Sequence, residues 1–505
     1  VPIIHRDLET NSELDLREAG ARRYAADPST TVVCVAYAVD DAPVQLWTPG
    51  QPIPDEFFEA ERNPEWRVCA HNDFFESAIE ELNLAPQSGW PLVPLARHMC
   101  TLAMTLAAAL PGKLENAAKA LALPLQKDKV GRLLIQKMRR GQQLTEKEIE
   151  QLYAYCRMDV KVERVLYQRL PPLSPAEQEL WELDQIINRR GFFVDRTLAA
   201  AAFEIEQKER SACQQRLAEL TGGRITSIHQ VARIKELLRE HGCETESLNK
   251  DALKTLQAPD DIVRDILALR RDGAKASKLK ALLAGLDADD RLRGTLQFHG
   301  ASTGRWAGLR FQPQNLKKSK TDVATAIKAV TSGDIERVRE IGPPLTVISD
   351  IARAMICASP AHVLVGADFS AIENRVLAWI AQERWKLRAF KQFDETGNSA
   401  FEPYCVTATR ILGRIVDGND EDDRRLGKTC ELAFGYGGSL GAWRKFDSTH
   451  SDEAVRKFCS DWRKAHKATV GFWRMLEKRL HDTVRDGRPR RLRSLAFAVE
   501  NGTLY

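Results

Sequence analysis

Apolar and polar positions change their rhythm several times along this chain. Short β-forming runs come first. Pro2-Ile3-Ile4 leads into Asp7 as a short strand, and Thr31 to Val39 is strongly β-forming. Asp40-Asp41 makes a turn, and Val44 to Trp47 returns as a hairpin partner. Trp66 to Ala70 is a further strand that delivers Asn72 at its end. The period then lengthens to that of a helix in Leu114 to Leu123 and Glu146 to Leu170. Strands followed by helices packed over them predict a mixed α/β domain over residues 1–170.

Pro171-Pro172 breaks the last helix of that domain. Ser174-Pro175-Ala176-Glu177 starts a new one, with a capping box and proline at the first helical position. Gly191 closes it, and Asp195 caps the next, which runs toward Gly222-Gly223. Residues 171–295 read as almost all helix. From 296 the character changes again around Thr303-Gly304-Arg305. A compact apolar run, Val363-Leu364-Val365-Gly366-Ala367, predicts a buried strand ending on Asp368. Helices then continue as far as Asp486-Gly487. The expected organisation is α/β multidomain, with boundaries at 1–170, 171–295, 296–380 and 381–505.

Composition changes this picture little. A chain of 505 residues is too long for one domain, and a formal net charge of +4 does not by itself announce nucleic acid. The cations are clustered, however, at Arg270 to Lys280, Lys317 to Lys320, Arg424 to Lys428 and Arg485 to Arg493. Such clusters suit a surface that tracks phosphates. Ten cysteines without Cys-x-x-Cys spacing point to a reducing compartment, here expected to be cytoplasmic, with no disulfide framework and no structural zinc. No apolar run is long enough to cross a bilayer. Because the first residue is Val1, the chain is expected to be processed, excised or a fragment.

Candidate chemistry lies in acids. Asp7 and Glu9 alternate with Leu8, so on a strand both carboxylates point to one side while Leu8 enters the core. Asn72 and Glu76 share one helical face at a strand end, and Tyr155 and Asp159 share one stripe of a helix. Each pair alone is ordinary. Together, in this order, they supply what two divalent cations need to hydrolyse a phosphodiester: carboxylates to hold the ions and a phenol beside the attacking water. Acids at strand ends and on a late helix fit a ribonuclease-H-like nuclease fold. Later, Arg424, Lys428, Leu432 and Tyr436 recur every four residues as one slowly drifting stripe. It suits a nucleotide, with the triphosphate on Arg424 and Lys428 and the base on Leu432 and Tyr436.

The N-terminal acids resemble the tyrosine-bearing branch of the DEDD 3′-to-5′ exonucleases. GADFSAIENRVLAWIA is similar to motif A of the family-A DNA polymerases of phages and prophages, RRLGKTCELAFGYGGS to motif B, and STGRWAGLRFQPQNL to their palm element. The resemblance covers nearly the whole chain. It implies a ribonuclease-H-like exonuclease domain, a helical thumb, and a partial right-hand palm and fingers. Asp7, Glu9, Glu76 and Asp159 would carry metal in the nuclease, with Tyr155 orienting water. Asp368 would carry metal in the palm. Each site would use two Mg2+ or Mn2+ ions. Glu373 would be the steric gate against ribonucleotides. Arg305 would read the minor groove, with Gln314 and Asn315 in the same DNA-contacting element and Asn72 beside the nuclease substrate. Arg424, Lys428 and Tyr404 would hold the triphosphate, and Tyr436 would stack near the templating position. The implied partners are primer-template DNA, single-stranded DNA 3′ ends and deoxynucleoside triphosphates, bound by a monomer.

The chain departs from the family pattern in places. Glu76 stands where the second nuclease motif has Asp, Leu432 where motif B has Phe, and Tyr404 where many members have His. His481-Asp482 resembles the third palm motif, but its flanks read as amphipathic helix. That motif is therefore expected beyond Tyr505, and the chain is expected to be truncated and to extend primers poorly. Two rival expectations remain: a stand-alone exonuclease with a degenerate DNA-binding polymerase half, and a non-catalytic DNA-binding protein.

Overall fold

The structure is a computed structural model that describes the chain apart from residues 124–129, 250–251, 274–277, 494, 501–502 and 505. Part of the basic cluster at Arg270 to Lys280 thus lies outside the described residues, as does Tyr505. The chain divides into two compact units, Val1–Leu364 and Val365–Tyr505.

The first unit opens with a sheet of β1 (Ile3–Asn11), β2 (Thr31–Val39), β3 (Gln45–Trp47), β4 (Arg67–Ala70) and β5 (His98–Cys100), in the order β3-β2-β1-β4-β5. β1 pairs antiparallel with β2, setting Asp7 opposite Ala36 and Glu9 opposite Cys34, and parallel with β4. The strand's two faces differ. Ile4 and Leu8 pack with Val35, Tyr37, Trp47, Phe57 and Trp90. On the opposite face Cys34, Ala36 and Ala38 are small, and Cys156 and Val160 of a long helix pack directly on them.

β4 leads through Asn72 into α1 (Asp73–Ile79). Asn72 occupies the cap position with φ 84°, and its side chain makes no capping bond. Asparagine tolerates this left-handed conformation better than most residues do. The long helix, α2 (Glu146–Arg169), starts at a full capping box between Thr145 and Glu148. α3 (Pro175–Arg190) follows, with Ser174 accepting from the Glu177 amide and Gly191 ending it at φ 66°. Asp195 caps α4 (Arg196–Leu220). One helical core gathers Leu198, Ile205, Leu282, Ile351 and Met355, and a second gathers Leu217, Ile225, Leu238 and Ile266.

The expected strand at 363–367 is not formed. The segment has no strand pairing, and Val363, Leu364 and Val365 are 82%, 68% and 91% exposed. β-propensity describes how well a side chain fits a half-buried pleated surface. Among the described residues no neighbouring strand supplies that surface here.

The second unit is helical: α5 (Ile372–Ala381), α6 (Arg384–Thr396), α7 (Pro403–Leu412), α8 (Glu421–Phe434), α9 (Asp452–Ala465) and α10 (Lys467–Asp486). Cys430, Phe434, Trp443, Val455 and Trp462 form its main core. His481-Asp482 lies inside α10, as its flanks predict. A short antiparallel pair, Arg490–Leu492 with Leu495–Phe497, follows. Among the described residues no helix is long and apolar enough to cross a membrane.

Candidate active sites

In the first unit the acids of β1 meet α2. Ligand atoms of Asp7, Glu9 and Cys156 all lie within 4.8 Å of one another. The Cys156 thiol donates to the Asp7 backbone carbonyl at 3.4 Å and reaches its Oδ2 at 3.5 Å. Burial pushes that thiol well up, and the Asp7 charge adds to the effect, so it stays protonated. Asp159, one turn further along α2, is buried. Tyr155 is also buried and packs with Leu134 and Leu152. Its ring lies against Gly131, where a Cβ would overlap it.

Glu76 on α1 is the most informative acid. It is 3% exposed, and its Oε2 has no hydrogen-bond partner. Burial raises its carboxyl well above the usual range, and the charge of Asp7 raises it further. A buried carboxylate oxygen without a donor, near the charge of Asp7, suits a cation. Asp73, in the same motif, behaves differently. Its Oδ1 accepts from Arg6 at 3.0 Å and its Oδ2 lies 2.8 Å from His98 Nδ1. The carboxylates of Asp7, Glu9 and Glu76 therefore fit a hard divalent cation, and Asp73 is committed elsewhere.

Two buried networks flank this site, and sequence reasoning did not find them. On one face of β1, His5 Nδ1 lies 2.7 Å from Glu163 Oε2 on α2, and Cys69 donates to Glu163 Oε1 at 3.1 Å. On the other, Arg6 is fully buried and bonds Glu80 at 2.6 and 2.9 Å as well as Asp73. The sole sequence signal is the polarity of His5-Arg6 within an apolar strand.

In the second unit, Arg424 and Lys428 project from α8 toward Tyr404 at the start of α7. Their cationic groups lie 5.6 and 6.0 Å from its ring centroid. Arg424 also pairs with Glu402 at 3.0 Å. Burial raises the Tyr404 phenol above its usual value, and the charge of Glu373 contributes to that rise, which puts Glu373 in the same neighbourhood. Gly427 permits the arrangement. A Cβ there would overlap the Tyr404 carbonyl oxygen and stand 3.2 Å from Ala408 Cβ. Leu432 is half-buried on the same helix. The four-residue stripe is interrupted at its end: α8 stops at Phe434, so Tyr436 lies beyond it and is 72% exposed. Asp368 is exposed, within the segment that does not pair as a strand.

Arg305, Gln314 and Asn315 belong to the first unit. Arg305 is exposed on the loop between Leu296–Gln297 and Ala307–Gly308, which pair antiparallel. Gly304, at φ 77°, turns that loop, and Trp306 anchors it by donating to Asp184 Oδ1 at 2.8 Å. The Gln314 amide lies over Gly308, and Asn315 Nδ2 donates to Gln312 Oε1 at 2.8 Å.

Residues 197–484 match the model of DNA polymerase family A. The chain is 33% identical to a DNA polymerase of Bacillus phage SP02, over 99% of this chain and 80% of that protein. Among solved structures it is similar to the POL domain of Pol1 from M. smegmatis in complex with DNA primer-template and dNTP. That match has a TM-score of 0.56 at 15% identity, over 96% of this chain and 76% of that one, and is a likeness of fold. A family match over more than half the chain, joined to a phage relative along nearly all of it, makes this chain a member of DNA polymerase family A.

Proposed function

We propose that this family-A DNA polymerase also carries a 3′-to-5′ proofreading exonuclease, built on the sheet and helices of residues 1–170. The strand order β3-β2-β1-β4-β5, with β2 antiparallel to the centre, supports a ribonuclease-H-like reading of this domain. The observation that carries the reading is Glu76: a buried carboxylate oxygen without a donor, beside Asp7, where Asp7 and Glu9 already converge. Asp7, Glu9, Glu76 and Asp159 would hold Mg2+ or Mn2+, two ions per site. Such ions would supply an ionised water and neutralise charge on the entering and leaving oxygens. Tyr155 orients the water and Asn72 borders the 3′ end of single-stranded DNA. Glu in place of Asp at position 76 adds one methylene, and the longer side chain is buried.

In the polymerase half, Asp368 is the metal-binding acid of motif A, and Glu373 excludes the ribose 2′-hydroxyl. Arg424 and Lys428 hold the triphosphate with Tyr404, Leu432 packs on the base, and Tyr436 stacks by the template. Arg305, Gln314 and Asn315 contact primer-template DNA. A mispaired primer end frays and reaches the nuclease as a single strand.

The experiment uses 5′-labelled single-stranded DNA and Mg2+. The parent yields a ladder shortened from the 3′ end, Asp7→Ala with Glu9→Ala abolishes it, and Asp368→Ala leaves it intact. Degradation by the double variant at the parental rate refutes the nuclease. Loss of the ladder in Asp368→Ala refutes the division of labour.

A further inference from the structure

The second unit holds a buried ionic cluster that no motif accounts for. Lys386 on α6 is 2% exposed, Glu431 on α8 is 2% exposed, and His466 at the α9–α10 junction is 1% exposed. Lys386 Nζ donates to Glu431 Oε2 at 2.5 Å and to Asn374 Oδ1 on α5 at 3.3 Å. Glu431 Oε1 accepts from the Thr407 hydroxyl on α7 at 2.5 Å and from Trp462 Nε1 on α9 at 3.3 Å, and lies 3.2 Å from His466 Nε2. The His466 Nδ1–H donates to the Trp462 carbonyl at 2.8 Å, and the two rings stack at 3.9 Å. Trp385 closes another side, edge-on to His466 at 5.1 Å.

A buried ion pair is a poor way to gain stability. Replacing both partners by apolar groups is often neutral or better, whereas removing one strands a charge. What such a cluster does well is fix geometry, because each bond has direction and its surroundings are dry. Here the geometry matters. Glu431 immediately precedes Leu432. At about 100° per residue it lies about 20° around the α8 axis from Arg424, on the border between the buried face and the cationic stripe. Through Lys386 it also reaches Asn374, the neighbour of Glu373 on α5.

We infer that Glu431 is a positioning residue for the incoming nucleotide: with Lys386 it fixes the rotation of α8 and ties the triphosphate-holding stripe to the helix that carries Glu373. This rests on the reading of Arg424, Lys428 and Glu373 given above. It assigns nucleotide grip and sugar discrimination to one shared anchor. Loosening that anchor weakens deoxynucleotide binding and at the same time changes the preference for deoxy- over ribonucleotides. A merely structural cluster does not alter that preference.

The test titrates dNTP and rNTP into the full chain bound to primer-template DNA, reading the stability of the ternary complex, with heat unfolding alongside. The variants are Glu431→Gln, which keeps the shape, and Lys386→Met with Glu431→Gln, which strands neither charge of the pair, keeps an acceptor for Thr407 and Trp462, and guards against loss of fold in the first. The expected result is at least tenfold weaker dNTP binding in both, with the dNTP-to-rNTP affinity ratio shifted severalfold. In the double variant this persists although its unfolding temperature stays near the parent's. Binding within twofold of the parent in either folded variant, or equal weakening for dNTP and rNTP, overturns the inference. Arg424→Ala with Lys428→Ala, run in parallel, reports on the underlying assignment. If that variant binds dNTP normally, the nucleotide stripe itself is wrong. If it loses binding while Glu431→Gln does not, only the positioning role falls.

Discussion

Asp184 offers a quantitative handle on the loop that carries Arg305. It sits on α3, 3% exposed, and its Oδ1 accepts from Trp306, the residue after Arg305. Burial pushes its carboxyl from the ordinary 3.8 up to about 6, although the bonds from Trp306, Asn188 and Gln185 pull the other way. The folded state therefore favours the protonated acid. The associated cost to stability is absent below about pH 4, grows between about pH 4 and about pH 6, and is complete above that. At about 1.4 kcal/mol per tenfold change in proton affinity, its ceiling is about 3 kcal/mol. Asp184→Asn removes the titration and keeps an oxygen for Trp306. Gln185 Nε2 donates to Asp184 Oδ2 at 3.0 Å, so a flip of that amide turns its partnerless Oε1 toward the new Asn amide. The variant is expected to be more stable than the parent at pH 8 by about 1–3 kcal/mol and equal to it near pH 4, with primer-template affinity unchanged. Urea or heat unfolding at several pH values, followed by Trp fluorescence, measures this. Parallel pH curves for the two proteins, or a variant less stable at pH 8, refute the reasoning.

Gly427→Ala forces α7 and α8 apart at Tyr404. Overpacking of this kind costs about 1–3 kcal/mol, and a dNTP titration should show at least tenfold weaker binding, because the cations move with the helix. Glu163→Gln weakens the tie between β1 and α2 without touching an acid proposed to bind metal, and is expected to slow the proposed degradation of single-stranded DNA about tenfold while primer-template binding holds. Arg6→Met leaves Asp73 and Glu80 buried without their cation. Heat unfolding should show a loss of about 3–5 kcal/mol, and a change under about 1 kcal/mol counts against the network.

Much of the fold was readable in the sequence because its signals are local. Thr31–Val39 forms the strand its composition predicts, and α2 begins and ends where its cap and the Pro171-Pro172 break require. Asp7 and Glu9 were legible because a period of two leaves alternate residues on one face of a strand. What failed depended on distant partners. Val363–Ala367 has the composition of a strand, but strand formation is decided by neighbouring chain, and none pairs with it among the described residues. Tyr436 continues a four-residue count that the helix itself does not continue. His5 and Glu163 are separated by 158 positions, and Arg6 and Glu80 by 74. No periodicity connects such pairs, so they appeared in the sequence only as polar residues in the wrong place.

The same construction recurs in both units and explains why those misplaced polar residues are there. In the first, Cys34 and Ala36 let α2 lie close on β1 and β2, and close packing alone leaves a helix free to slide or roll by a fraction of a turn. The buried His5–Glu163 bond removes that freedom at one point on α2, one turn from Asp159. In the second, Gly427 brings α7 onto α8, and the buried Lys386–Glu431 pair fixes α8 at the residue next to Leu432. A small residue sets the distance between elements, and a directional polar bond sets the angle. Catalysis by positioned ions and phosphates depends on both, since an error of about 1 Å costs on the order of a hundredfold in rate. An apolar contact in place of either bond would preserve the distance and release the angle. Activity should therefore fall further than stability when these polar residues are replaced in pairs.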